Sequence, residues 1–359
     1  MPAADPGGGA LAGSAGGSYR VPERAQRVEG PSGAELLRDG AVVETSGSTG
    51  RAKRVVLSGV AFRASAEAAA AELGEPGHWV LALPTTYVAG LNVVARAAHW
   101  GREPVVAVGG PTFSALGFAA VVGTLDGPRY TSLVPIQLQR LLDSVPGVDA
   151  LRSFSRILLG GQAPDPALLV RARQEGLAVT LTYGATETCG GVVWDGRPIG
   201  DAAFAVIDGV VHLRGSSLAD GYLDDPALTA EAFPVIDGVR WHRTRDHGEV
   251  RGDRLAVLGR IDDVIVSGGV KVSLVEVELA ARRAGAVDAL AVAVDRPGWG
   301  QAPAIVTTST VDENAIREQI GAMLGPEARP VAFAVVDAVP MLPSGKPDRV
   351  AAAALLGTP

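Results

Sequence analysis

Short apolar runs alternate with longer mixed segments through the first half of the chain, the runs covering residues 79–83, 104–108, 130–134, 157–159 and 178–182. Between them, residues 91–100, 136–144 and 166–174 carry helical patterns. This alternation predicts a layered α/β domain with a mostly parallel sheet. Upstream, residues 58–73 are alanine-rich, with Ser58 placed to cap a helix and Gly74 to end it. From Ala203 to Leu258 the pattern changes to short strands with Asp-Gly turns at Asp208-Gly209 and Asp237-Gly238, the signature of hairpins. After Arg260-Ile261-Asp262-Asp263 the chain continues as a compact α+β unit of about a hundred residues, a normal size for a small domain. No internal repeat is evident.

Composition narrows the class. The chain has 359 residues, enough for two domains, with 47% hydrophobic and 20% charged residues, as in ordinary water-soluble proteins. A net charge of -7 without a long basic run argues against binding nucleic acid or an anionic membrane, and no apolar run approaches a membrane span. Residues 1–18 are rich in Gly, Ala and Pro and lack the apolar block of a signal peptide, so a disordered tail and a cytoplasmic protein are expected. Cys189 is the single cysteine, which excludes an internal disulfide and a cysteine-cluster metal site. The five histidines have no metal-ligand spacing.

Candidate chemistry is densest in Thr45-Ser46-Gly47-Ser48-Thr49-Gly50-Arg51-Ala52-Lys53, flanked by short valine-rich runs. Glycines let backbone close around a ligand, N–H groups and hydroxyls donate to phosphate oxygens, and Lys53 adds a mobile point charge. The Gly-Lys-Ser/Thr triplet of a Walker A loop is absent. A solvated Ser/Gly turn would have the same composition. Two further segments follow apolar runs, at the strand ends where open α/β sheets bind ligands. Gly160-Gly161-Gln162-Ala163-Pro164 suits close backbone approach to a flat ring. Tyr183-Gly184-Ala185-Thr186-Glu187-Thr188 offers an aromatic face, a hydroxyl and a carboxylate within one turn. A nucleotide with its magnesium needs that set, although either segment alone would also make an ordinary strand-to-helix turn.

With Thr244-Arg245-Asp246, Gly259-Arg260-Ile261-Asp262-Asp263 and Pro343-Ser344-Gly345-Lys346, these segments stand in the order found in the adenylate-forming superfamily of acyl-CoA synthetases, adenylation domains and luciferases, which the chain resembles from Thr45 to Lys346. The resemblance implies a large N-terminal domain of layered α/β sheets with a β-rich subdomain (residues 19–259), a hinge (260–263, centred on Asp262) and a small mobile α+β domain (264–359). It implies that Thr45, Ser46, Gly47, Ser48, Thr49, Gly50 and Lys53 hold the ATP phosphates. Gly161, Gln162, Ala163 and Tyr183 would enclose adenine, with Gly160 and Gly184 also at the nucleotide; Thr186 would contact the α-phosphate, and Glu187 would bind magnesium. Asp246, reinforced by Arg260, would bind ribose, and Lys346 would reach in as the catalytic cation. A carboxylate attacking an α-phosphate faces like-charge repulsion, which magnesium and a lysine offset electrostatically. The C-terminal domain would then rotate about Asp262 to present Ser267, Gly268, Gly269 and Lys271 for the coenzyme A step.

Residues 83–91 and 131–138, with Cys189, most resemble the o-succinylbenzoate–CoA ligase branch of menaquinone biosynthesis. A substrate with a second carboxylate calls for a cation and donors; Arg96, Thr131 and Ser132 are the candidates, with Tyr87, Gly184 and Cys189 lining the pocket. Arg96 could equally snorkel from a helix into water. Cys189 has no basic partner nearby in sequence, so a small lining thiol is expected rather than a nucleophile. Trp299, in a glycine-bearing turn, is expected to pack rather than bind ligand. The chain departs from the superfamily in three ways. Tyr87 stands where histidine is frequent, Arg245 and His247 flank Asp246 where small and apolar residues are usual, and the phosphate loop begins early. The last implies an N-terminal subdomain that is partly missing or minimal, whose exposed sheet edge a homodimer could cover. The resulting expectation is an ATP-, magnesium- and coenzyme A-dependent acid–CoA ligase. Loading an acid onto a carrier-protein thiol and non-catalytic adenylate binding are the alternatives.

Overall fold

A computed structural model describes residues 30–45, 53–107, 113–342 and 347–356. Its centre is a seven-stranded sheet in the order Val105–Val106, His78–Leu81, Arg129–Leu133, Arg156–Leu159, Val179–Ala185, Gly190–Trp194 and Arg197–Pro198. The first five strands are parallel and the last two antiparallel. Successive strand side chains point to opposite faces, and the core divides accordingly. Trp79, Leu81, Tyr130 and Leu158 pack on one face with Leu36, Phe62, Leu91 and Val94 from the helices Gly33–Asp39, Gly59–Leu73 and Val88–His99. Val80, Leu133, Ile157 and Leu159 pack on the other with Phe118, Leu138, Leu141 and Leu151. Those come from the helices Ala115–Val122, Pro135–Leu142 and Val145–Arg152.

Local chemistry explains most boundaries. Ser58 accepts from the Ala61 amide, and Gly74, at φ 82°, ends the helix between them. Residues 136–144, expected as one helical stretch, lie mostly in Pro135–Leu142, and a second helix follows at once. Ser144 caps that second helix by accepting from the Gly147 amide, and Pro146 sits in its first turn, where a missing N–H costs nothing. The helix expected at 91–100 starts earlier, at Val88, with no side-chain cap on Tyr87.

The β-rich region is a four-stranded antiparallel sheet of Ala203–Ile207, Val210–Arg214, His242–Arg251 and Arg254–Arg260. Both expected turns form, with positive φ at Asp208 and Gly209 and at Asp237 and Gly238, as a two-residue hairpin turn requires. A helix at Pro226–Ala232 interrupts the region, and Asp225 caps it. A third sheet joins Ala41–Thr45 to Lys53–Leu57 and then to Gly221–Tyr222, far along the chain. From Val264 onward a five-stranded sheet and the helices Leu274–Arg283, Glu313–Leu324 and Arg349–Ala354 build cores of their own around Ile265, Val277, Ile305, Leu290 and Val306. No helix among the described residues is long and apolar enough to cross a membrane.

Candidate active site

The parallel strands all deliver their carboxyl ends to one edge of the central sheet. Gly160–Ala163 follow Leu159 there, and Thr186 and Glu187 follow Ala185. Gly160 is required by packing, because a Cβ would lie 2.5 Å from the Thr182 hydroxyl; Gly161, at φ +87°, is required by conformation. Gln162 is half-buried and Ala163 exposed. Thr186–Thr188 form a single 3-10 turn that Cys189 closes in the left-handed region at φ 52°. The Thr188 hydroxyl donates to the Gly190 carbonyl at 2.8 Å and accepts from the Ala185 amide at 2.9 Å, which fixes the turn.

Glu187 is tied down twice. Its carbonyl accepts from the Ala219 amide at 2.8 Å, and its carboxylate Oε1 accepts from the Tyr222 hydroxyl at 2.7 Å. The Lys53 ammonium lies 5.3 Å from the centre of the same tyrosine ring. Lys53 is paired across the sheet with Thr45, so strand pairing sets both ends of the expected phosphate loop. Ser46, Gly47, Ser48, Thr49 and Gly50 lie outside the described residues, as do Lys346 and the tail 1–18.

On the side where ribose was expected, the Tyr183 hydroxyl donates to Asp246 Oδ2 at 2.7 Å. Burial, and then the Asp246 charge, push the Tyr183 phenol far above its ordinary range, so it remains a donor. Asp246 and Arg260 are cross-strand partners, with a guanidinium nitrogen 3.8 Å from the carboxylate. Arg260 also pairs with Asp262 at 3.0 Å, and Arg245 lies 3.6 Å from the same carboxylate. The arginine next to Asp246 therefore faces the expected hinge residue. Asp263, one residue on, pairs with Arg349 at 3.2 Å, and Arg349 also pairs with Glu278.

The residues expected on the acyl side are brought together less evenly. Arg96 does not snorkel. Only 6% of it is exposed, its Nε has no hydrogen-bond partner among the described residues, and its guanidinium stacks 5.3 Å from the Trp79 ring centre. Burial lowers its pKa to about 10, which leaves it charged at neutral pH. Thr131 departs from expectation as a free donor, because its buried hydroxyl donates to the Val80 carbonyl at 2.9 Å. Ser132 is buried beside it, and Tyr87 is half-buried at the start of the helix Val88–His99. Cys189 is not a lining thiol: it is fully buried, its sulfur against Asn92 Oδ1 at 3.9 Å. Its carbonyl accepts from Asn92 Nδ2 at 2.8 Å, because the left-handed turn folds the residue into the core behind the strand. Gly184 leaves no room for any side chain, since a Cβ would lie 2.0 Å from the Gly190 carbonyl oxygen.

Ser267 also departs from expectation. It is 1% exposed, donates to the Glu327 carbonyl at 2.8 Å and accepts from the Trp299 indole N–H at 3.2 Å, so it anchors rather than presents. Gly268 and Gly269, both at positive φ, make the hairpin turn, and a Cβ on Gly268 would strike the Trp299 ring at 2.6 Å. Lys271 is exposed on the returning strand. Beside this turn Arg296, Trp299 and Arg329 help line a cavity of about 360 Å³.

Residues 41–223 match the family described as AMP-binding enzyme. The chain is 36% identical over 321 residues to the probable 2-succinylbenzoate–CoA ligase of Mycobacterium tuberculosis (strain CDC 1551 / Oshkosh), covering 86% of this chain and 82% of that protein. The chain belongs to the AMP-binding enzyme family. Within this AMP-forming ligase family it is also 32% identical to the 2-succinylbenzoate–CoA ligase of Escherichia coli (strain K12), over 65% of this chain and 50% of that one. Among solved structures it is similar to o-succinylbenzoate CoA synthetase (MenE) from Bacillus subtilis in complex with the acyl-adenylate intermediate. The TM-score is 0.76 at 25% identity, with 88% of this chain and 69% of that chain covered. The same Bacillus subtilis enzyme has been solved with ATP and a magnesium ion, at TM-score 0.76, 25% identity and coverage of 88% and 70%. As in other AMP-binding enzymes, the layout is mixed α/β.

Nothing in the sequence marks Tyr222 or Asn92 as part of the site. Tyr222 lies in a two-residue strand, too short for any periodic signal, and Asn92 sits on a helix face that reads as core. Magnesium fits the donor set present here. No cluster of three or more His, Cys, Asp or Glu exists among the described residues, and Glu187 Oε2 has no hydrogen bond among them. Magnesium is commonly held by one or two carboxylates together with substrate phosphates and water.

Proposed function

We propose that this AMP-binding enzyme activates a carboxylic acid with ATP and transfers the acyl group to coenzyme A, and that the acid is o-succinylbenzoate. The observation that carries the reading is the linked set at the sheet edge: Glu187–Tyr222–Lys53 on one side and Tyr183–Asp246–Arg260 on the other. One set offers an anion and a cation where a metal and polyphosphate need them. The other offers an aromatic face and a carboxylate where adenine and ribose need them. The resemblance to 2-succinylbenzoate–CoA ligases supports the choice of acid, and so does the charged, buried Arg96, whose Nε lacks a partner among the described residues. A second carboxylate on the substrate would supply one.

In the first half-reaction a carboxylate oxygen of the acid bonds to the α-phosphorus, and the bond from that phosphorus to the pyrophosphate oxygen breaks. Bound magnesium would supply Lewis-acid stabilisation of the phosphate charge. Lys53 would hold phosphate oxygens, Asp246 would accept from the ribose hydroxyls, and Lys346 would stabilise the developing charge. In the second half-reaction the coenzyme A thiolate attacks the acyl carbonyl and AMP leaves. The cavity beside the Gly268–Gly269 turn, lined by Arg296, Arg329 and Trp299 with Glu327 also on its wall, offers two guanidiniums for the phosphates of coenzyme A. The test is pyrophosphate release with ATP and magnesium across o-succinylbenzoate, benzoate, a medium-chain fatty acid and an aromatic amino acid, with and without coenzyme A. Release confined to o-succinylbenzoate, with formation of its CoA thioester, is expected. Release with another acid replaces the substrate, and no release with any acid overturns the catalytic reading.

A further inference from the structure

Glu187 and Lys53 present a problem of arrangement. A flexible ammonium close to a carboxylate tends to form an ion pair, which would occupy the metal ligand and withdraw the phosphate cation together. Among the described residues the two form no such pair, and Tyr222 stands between them. Its hydroxyl donates to Glu187 Oε1 at 2.7 Å while its ring faces the Lys53 ammonium at 5.3 Å. We propose, on the reading just given of Glu187 and Lys53, that Tyr222 is the positioning residue of the metal–phosphate site. Its hydroxyl fixes the Glu187 carboxylate with Oε2 free for the cation, and its ring face holds Lys53 off that carboxylate.

The tyrosine is built to stay in place. It is 7% exposed, its ring packs on Phe233 at 6.0 Å between centroids, and its amide donates to the Thr229 hydroxyl at 2.9 Å. Its strand pairs with Lys53–Leu57, so Tyr222 opposes Val55 and the same ladder places Lys53 nearby. Ala219, three residues earlier, holds the Glu187 backbone through its amide. One short segment thus sets main chain and side chain of Glu187 together. Burial, and then the Glu187 charge, push the phenol well above its ordinary range, so it remains a donor rather than a competing anion. Outer hydrogen bonds of this kind orient metal ligands, and their loss commonly costs about 10–100-fold in metal affinity.

The experiment compares Mn²⁺ affinity, read by electron paramagnetic resonance in the presence of a non-hydrolysable ATP analogue, in the wild-type protein, Tyr222→Phe, Glu187→Gln and the double variant. Phenylalanine keeps the ring, its packing on Phe233 and its face toward Lys53. Tyr222→Phe should weaken Mn²⁺ binding about tenfold and leave the affinity for the metal-free nucleotide within about twofold, the ring still holding Lys53 in place. In the Glu187→Gln background the same change should have no further effect on Mn²⁺, which a merely structural role would not reproduce. Unchanged Mn²⁺ affinity in Tyr222→Phe, or an equal loss in both backgrounds, overturns the role of Tyr222 alone. A wild-type protein that binds no Mn²⁺ with the nucleotide overturns the metal-site reading beneath it.

Discussion

Replacing Arg96 by leucine should separate the affinity for a diacid from everything else the residue does. The side chain is 6% exposed, its Nε lacks a partner among the described residues, and it retains its charge at neutral pH despite the lowered pKa. If it receives the second carboxylate of the substrate, its loss removes one buried charge-assisted hydrogen-bonding partner, worth about 1.5–3 kcal/mol. At about 1.4 kcal/mol per factor of ten, the KM for o-succinylbenzoate should rise about tenfold to 150-fold. Benzoate, without a second carboxylate, should show little change. Stability runs the other way. Replacing the buried guanidinium by leucine relieves its desolvation while giving up a cation–π contact with Trp79 of about 2 kcal/mol. The melting temperature should therefore hold or rise. Steady-state kinetics on both acids, with a thermal melt of each protein, is the assay. An equal rise in KM for diacid and monoacid would refute the assignment, as would activity lost in step with stability.

Cys189 should resist alkylation in the native protein and react on unfolding, because burial pushes its thiol up to about 12. Above the unfolded thiol's pKa of about 8.5 the unfolded chain releases a proton that the native state keeps, so stability falls as pH rises, by about 2 kcal/mol from neutral pH to pH 10. Urea midpoints at pH 7 and 10 should show this component in the wild type and lose it in Cys189→Ala; identical pH dependence would remove the assignment. Gly184→Ala should cost at least about 1–3 kcal/mol, because the new methyl would overlap the Gly190 carbonyl, rigid backbone in the facing strand. Gly123→Ala is the control: Gly123 has helical φ and its nearest contact is 3.4 Å away, so a gain of about 0.4–1 kcal/mol is expected.

Local chemistry is legible in the sequence itself. Ser58 and Gly74 bound their helix, the Asp-Gly pairs turn their hairpins, and the apolar runs become the strands of the central sheet, because caps, turns and alternation act over a few residues. The order of motifs along the chain likewise points to the family, since it needs no contacts to be read. Helix boundaries are legible only partly. The stretch 136–144 ends early, at Leu142, before a second helix that Ser144 caps, and Tyr87 precedes a helix without capping it.

What the chain could not disclose by itself is which distant segments meet. Lys53–Leu57 pairs with Gly221–Tyr222, and only that strand order puts a phenol between Lys53 and Glu187. Arg96 and Ser267 look like surface candidates on polarity alone, and both are buried, one against Trp79 and the other beneath Trp299. Cys189 follows a glutamate and a threonine expected at the nucleotide, yet one left-handed residue carries it into the core. Residue type and near neighbours set backbone preference. Burial and partnership depend on how sheets stack and strands pair across many residues, and that was decided only by the tertiary structure.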